Sequence, residues 1–302
     1  MLRVSLLSDE SAAASSMGAD RFIITGAGGM LGTALVARLS ERGAAFDAYT
    51  HAELDVTDRN SVREAIQSAG TYAILLNFAA YTDVEKAESE PDVAFSVNES
   101  GARILAEECV AADVDLVHVS TDFVFDGTKG APYIETDEPN PLSVYGASKL
   151  AGEEAVCATM PDALIVRTAW VFGAGGENFI TKVLRRMRKQ GEAQVVNDEM
   201  GCPTHTGDLA RCLLELVAAG NTGIYHLAGA GECTRYELAV EAASIVGIEA
   251  EIAPVSSDLF QTGAARPKDS RLDCSKAAAQ GVAMRPWREA LAEYLEAVTA
   301  EA

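Results

Sequence analysis

The sequence predicts a doubly wound α/β fold, a parallel sheet covered on both faces, with a smaller lobe built from the C-terminal part of the chain. Three observations predict it: from residue 21 short apolar runs alternate with longer amphipathic ones, the apolar runs are too short to be helices, and a glycine-rich turn joins the first pair. The runs FIIT (22–25), AFDAYT (45–50), YAILLNFAA (72–80), VDLVHVS (114–120), ALIVRTAWVF (163–172), AQVVN (193–197) and IYHLA (224–228) are expected as strands. Between them, 30–42, 58–68, 91–112, 144–158, 177–190, 206–219 and 234–247 carry apolar residues at helical spacing. Residues 1–20 turn acidic and small after a short apolar start, so a loose extension is expected there, with Met17 as an alternative start. The stretch 122–143 is rich in Gly, Pro and Asp and too long for a simple connection, which marks it as a functional loop. After about residue 173 the alternation weakens, and 250–275, with Pro254 and Pro267, reads as polar and turn-rich.

Composition excludes several classes. Of 302 residues, 48% are apolar and 23% charged, the balance of a globular chain rather than a disordered one. Twenty-four Lys and Arg against 45 Asp and Glu leave a net charge of −21, which repels phosphate backbones and anionic lipid surfaces; neither nucleic acid nor membrane is expected as a partner. The acidity also fits a salt-rich habitat. No apolar run approaches the ~18 residues of a membrane span. Six cysteines spaced by ten residues or more form no C-x-x-C pair, so free buried thiols, no metal site and a reducing cytoplasm are expected.

TGAGGMLG, Thr25 to Gly32, stands between the first strand and the first helix. Glycines there let the backbone approach a pyrophosphate, and the helix offers unpaired N–H groups to the anion. The strict G-x-G-x-x-G spacing fails at Leu31; Gly26, Gly29 and Gly32 fit G-x-x-G-x-x-G instead. Such a turn is often structural, and its place in the first βαβ unit is what points to a dinucleotide. Residues 21–173 then form a Rossmann-type dinucleotide-binding domain, with 205–230 returning to its sheet and 174–302 mostly a substrate-binding lobe. The second strand ends in Thr50 and His51 where a diol-binding carboxylate is usual, which favours NADPH over NADH, with NADH as the alternative. An exposed loop histidine would look the same. Asp55 and Val56, at the next turn, are placed to line the adenine.

Tyr145 and Lys149 are four apart on an expected helix and share a face. A neighbouring ammonium is expected to lower the phenol's pKa and make it a proton donor and acceptor near neutral pH. Alone, Y-x-x-x-K arises by chance. The order glycine turn, Thr121 at a strand end, Tyr145, Lys149 is specific, because ligands of parallel sheets lie beyond the carboxyl ends of the strands.

Together TGAGGMLG, NFAAYTDVEKAE (77–88), Val97-Asn98, HVSTDFVFDG (118–127), YGASKLAGE (145–153), RTAWVFG (167–173), DEMGCPT (198–204) and ARPKDSRLD (265–273) resemble the dTDP-4-dehydrorhamnose reductases, extended short-chain dehydrogenases/reductases, over about residues 21–295. The resemblance implies NAD(P)H-dependent reduction of the C4 ketone of a dTDP-sugar, by a monomer or homodimer, with Thr121, Tyr145 and Lys149 as the catalytic set. It implies cofactor contacts at Gly26, Gly29, Met30, Leu31, Gly32, Asp55, Val56, Ala79, Ala80, Tyr81, Thr82, Tyr145 and Lys149. Substrate contacts are implied at Val84, Thr121, Asp122, Phe123, Trp170, Asn178, Arg266 and Arg271, the arginines near the diphosphate. Phe123 stands where the family often has Tyr, and Glu199, Met200 and Cys202 also depart from its pattern, which bears on substrate choice. Two alternatives stay open: a reductase or epimerase of another nucleotide 4-keto deoxysugar, and a non-catalytic regulatory subunit resembling methionine adenosyltransferase β.

Overall fold

A computed structural model describes residues 21–70, 73–260 and 262–300. The expected extension at 1–20 and Tyr72, expected in the third strand, lie outside the described residues. Strands β1 (Arg21–Thr25), β2 (Phe46–Tyr49), β3 (Ala73–Asn77), β4 (Asp115–Thr121), β5 (Leu164–Thr168), β6 (Glu192–Val196), β7 (Gly223–His226) and β8 (Glu251–Val255) carry the architecture. Six of them make a parallel sheet in the order β7-β5-β4-β3-β1-β2. The chain runs from β1 outward to β2 and returns to the other side of β1 as β3, so a ligand crevice opens beyond Thr25, Asn77 and Thr121.

Both faces of this sheet are covered. Leu31, Leu35 and Leu39 of helix Met30–Glu41 pack with Leu209, Leu213 and Leu216 of helix Thr206–Ala218 on one face. Val62 and Ile66 of helix Arg59–Ala69, Leu105 and Cys109 of Ala102–Ala112, and Val156 of Val144–Thr159 cover the other. A separate apolar cluster holds the C-terminal lobe, where Leu184, Leu238, Trp287 and Leu291 bury against β6. β6 pairs in parallel with β8 and does not join the main sheet.

Four expectations change. Residues 91–112 are not one helix: Pro91–Phe95 and Ala102–Ala112 flank a π-helical turn, Ser96–Gly101. That widening turns Asn98 inward, where its amide bonds Tyr81 and Ser148. The run 163–172 breaks after Thr168, because Trp170 takes a left-handed φ of 45° and sends Val171–Phe172 to pair with Thr204–His205. Segment 250–275 is not irregular throughout, since it supplies β8; Pro254 is tolerated because β8 is paired on one side only. Finally, all six cysteines are free, but Cys157 is exposed and Cys274 only partly buried. Among the described residues no helix is long and apolar enough to cross a membrane.

Candidate active site

A cleft of about 1280 Å3 runs along the carboxyl ends of the central strands and under the lobe. Pockets for a single drug-sized ligand measure ~300–1,000 Å3, so this cleft has room for more than one. At one end lies the glycine turn. Gly26 has a φ of 69°, and a Cβ on it would lie 2.6 Å from the Phe78 carbonyl carbon; a Cβ on Gly32 would lie 2.4 Å from the Gly26 oxygen. Only glycine lets the turn fold this tightly against β3. Gly29 caps helix Met30–Glu41 with no side-chain hydrogen bond, leaving its first N–H groups to an anion, so the turn fits a dinucleotide pyrophosphate. Gly26, Gly29, Met30, Leu31 and Gly32 all line the cleft.

The ends of β1 and β3 and the middle of β4 are tied together behind this turn. Asn77 Oδ1 accepts from the Thr25 hydroxyl (2.7 Å) and the Ala79 amide (3.1 Å), so its Nδ2 must donate to His118 Nδ1 at 2.9 Å. Burial holds His118 neutral, well below its ordinary pKa, with the Lys149 charge acting in the same direction.

The expected catalytic residues Thr121, Tyr145 and Lys149 all line the cleft. Thr121 ends β4, and its hydroxyl donates to Asp122 Oδ1 at 3.1 Å while accepting from the Phe123 amide at 3.2 Å. Helix Val144–Thr159 starts against this turn because Gly146 has no side chain: a Cβ there would lie 2.2 Å from the Phe123 oxygen. That approach brings Tyr145 to Thr121 and sets it edge-on to Phe123, with ring centroids 5.5 Å apart. Four residues on, the Lys149 ammonium donates to the Val119 carbonyl at 2.7 Å.

The electrostatics differ from the sequence expectation. Tyr145 is pushed up, not down, to about 12: desolvation dominates, Thr121 opposes it, and the Asp122 charge adds to it. Lys149 is held by Val119 and falls to about 8 through burial, partly offset by Glu153. Asp122, fully buried, rises to about 6 through desolvation, against the Ser270 and Thr121 hydroxyls and the Arg235 charge. Ser270 Oγ donates to its other oxygen at 2.5 Å.

Residues 20–300 match the sequence profile of the family described as RmlD substrate binding domain. The chain belongs to this family. A dTDP-4-dehydrorhamnose reductase from Mycolicibacterium smegmatis is 41% identical over 285 residues, 93% of this chain and 86% of that protein. A dTDP-4-keto-6-deoxy-D-glucose reductase from Streptomyces niveus is 40% identical over 285 residues, 93% and 99% of the two chains. The crystal structure of a dTDP-4-dehydrorhamnose reductase from Bacillus anthracis in complex with NADP has a TM-score of 0.88 at 35% identity, covering 91% of this chain and 98% of that one.

In this member of the RmlD substrate-binding-domain family, Ala80, Thr82, Val84, Phe123, Trp170, Asn178 and Arg266 also line the cleft. Ala79, Tyr81, Asp55, Val56 and Arg271 do not. Tyr81 faces Asn98 and Glu90; Asp55 is exposed and accepts from Thr57; Val56 is buried against Gly101. Arg271 is clamped by Asp269 and Glu232, so it is no cleft cation. Asn178, although in the cleft wall, caps helix Phe179–Gln190 and gives its amide to Tyr294 and Gly173. Of loop 122–143 only Asp122 and Phe123 reach the cleft; Asp126 draws the rest inward through Thr128, Tyr133 and Asn140. The end of β2 does carry a carboxylate: Glu53 folds back onto the Thr50 amide (2.8 Å) and hydroxyl (2.7 Å), while His51 is exposed.

Sequence reasoning missed Arg235 and Ser270, and singled out Glu199 only as a departure from the family pattern. Arg235 and Glu199 line the cleft, and Ser270 is buried behind it. Arg235 follows Thr234, which caps its helix in a readable T-x-x-E box, but nothing local says that the helix starts at the cleft.

Proposed function

We propose that the chain reduces the C4 ketone of dTDP-4-dehydrorhamnose to dTDP-L-rhamnose with NADPH, and with NADH as the alternative reductant that Glu53 admits. The observation carrying this reading is the meeting of Thr121, Tyr145 and Lys149 in the cleft that begins at the uncapped glycine turn. Gly26, Gly29, Met30, Leu31 and Gly32 would hold the cofactor pyrophosphate, and Ala80, Thr82 and Lys149 its nicotinamide half. When bound, the nicotinamide supplies the hydride that carbon C4 receives. Tyr145, protonated throughout the physiological range, gives the matching proton to the ketone oxygen, which completes a two-electron reduction. The Thr121 hydroxyl, which donates its single proton to Asp122 Oδ1 at rest, would turn that proton to the same oxygen when substrate binds. Lys149, anchored on Val119, adds positive charge as the oxyanion develops.

The domain reading is part of the proposal: residues 21–173 with 205–230 bind cofactor, and most of 174–302 closes on the sugar nucleotide. It places the enzyme in the cytoplasm, as a monomer or homodimer, with no nucleic-acid partner. A second reading, reduction of another nucleotide 4-keto deoxysugar, is favoured by the equally similar Streptomyces niveus relative and by Phe123 and Glu199 in the cleft. Supplying the 4-keto sugar nucleotides with NADPH and NADH separately, and following loss of nicotinamide absorbance, tests both. No loss with any 4-keto sugar nucleotide sinks the reductase reading.

A further inference from the structure

We propose that Arg235 holds the diphosphate of the sugar nucleotide, with the Trp170 indole as the platform beneath it. The inference rests on the sugar-nucleotide reading and names the residue that makes the ionic contact. The Arg235 side chain is 19% exposed and lines the cleft. Its guanidinium carbon lies 3.5 Å from the centroid of the Trp170 ring and 5.1 Å from that of Phe179. Glu199 approaches only to 3.7 Å. A guanidinium carries five N–H donors, and no side chain of the described residues comes within hydrogen-bond distance of those of Arg235, so they are left for an acceptor from a ligand.

The other cations of the cleft are engaged or already in water. Arg266 donates to Glu85 at 2.5 Å, and Lys268 donates to Asp198 at 3.0 Å. Lys149 is held by Val119, Lys182 stands exposed beside Glu177, and Arg186 is exposed and bonded to Gln190. The platform is itself built at a cost. Trp170 adopts a left-handed φ, which a bulky residue rarely takes, and its indole fills the space left by Gly201, where a Cβ would lie 2.3 Å from the ring. A planar guanidinium held flat on an indole keeps its edge free, the geometry that pairs with two phosphate oxygens. In a chain of net charge −21, with the Asp122 carboxyl nearby, a dianion needs this local positive charge, whereas a neutral sugar hydroxyl does not.

The test uses the full chain and three ligands, dTDP, thymidine and NADP+, titrated calorimetrically into wild type, Arg235→Met and Arg235→Lys. Met keeps the apolar stem over Trp170; Lys keeps the charge without the fork. The expected result is a loss of at least tenfold in dTDP affinity for Arg235→Met, partial recovery in Arg235→Lys, and unchanged NADP+ and thymidine binding. Wild-type dTDP affinity in Arg235→Met overturns the proposal. So does a loss that thymidine shares equally, since the contact is then to the nucleoside. A wild-type chain that binds NADP+ and no dTDP overturns the sugar-nucleotide reading along with it, whereas normal turnover with an indifferent Arg235 overturns the inference alone.

Discussion

Replacing Asp122 by Asn should make the folded chain more stable and the enzyme slower. Asp122 is 2% exposed and holds its proton to about 6, against an ordinary value of 3.8. Below pH 3.8 folded and unfolded chains both keep this proton, so the group costs nothing. Between about pH 4 and 6 the unfolded chain releases it first, and stability falls as pH rises; above pH 6 both forms are ionised and the cost is complete. Linkage puts that cost at about 3 kcal/mol, an order-of-magnitude figure for one buried carboxyl. Asn keeps an acceptor for Ser270 and carries no charge, so the Asp122→Asn advantage should be about 1 kcal/mol at pH 4.5 and grow to about 3 kcal/mol by pH 8. Paired denaturant titrations at the two pH values measure it, with the free-energy difference between variant and wild type as the readout.

Turnover should fall in the same variant, because the carboxylate that accepts from the Thr121 hydroxyl, and so fixes its position beside Tyr145, is gone. A difference between the two chains that is flat from pH 4.5 to 8 would show that Asp122 is ionised at no cost, and the reasoning about its burial would be wrong. A gain in stability with undiminished turnover would leave the burial argument standing and remove Asp122 from the mechanism.

Three further outcomes follow from the geometry. Tyr145→Phe should lower kcat by roughly 10²-fold or more and leave NADP+ binding unchanged, as it removes the proton donor alone; equal turnover excludes the phenol. Glu153 and Arg167 form a bidentate ion pair with side chains 3% and 2% exposed, and Arg167 Nη1 already lacks a partner. Glu153→Ala should therefore cost about 3–5 kcal/mol in denaturant unfolding, with Glu153→Met/Arg167→Met recovering most of it; a loss below about 1 kcal/mol contradicts the burial argument. Gly201→Ala pushes on the Trp170 ring and should cost about 1–3 kcal/mol, raising KM for the sugar nucleotide while NADPH binding holds; an unchanged KM would separate the indole from the substrate.

Those features divide by how local their causes are. The six sheet strands could be expected as buried apolar runs, and the glycine turn from its spacing, because each is set by neighbours in sequence. Tyr145 and Lys149 were legible for the same reason, being one helical turn apart. The charge state of Tyr145 was not, since it depends on how much protein surrounds the phenol, and the expected ammonium is bonded to Val119 on the adjacent strand. Glu53 escaped because a carboxylate three residues past Thr50 reaches β2 only when the turn folds back. Arg271 and Arg235 exchange roles for a still less local reason: carboxylates at 232 and 269 take the first, while an indole 65 positions upstream receives the second.

This distribution places the chemistry and the recognition on different kinds of residue. Tyr145 and Thr121 stand on the sheet half, on a helix and at the strand end before it, while Ser270, which holds Asp122, comes from much later in the chain. Ser270 holds Asp122, Asp122 holds Thr121, and Arg235 with Gly201 holds Trp170. Displacement of Ser270 therefore cannot leave Thr121 untouched, because its hydrogen bond of 2.5 Å holds Asp122, one residue from Thr121. On the proposed reading, substitutions among 199–202, 235 and 270 should alter kcat as well as KM, in contrast to changes at the glycine turn, which should alter cofactor affinity.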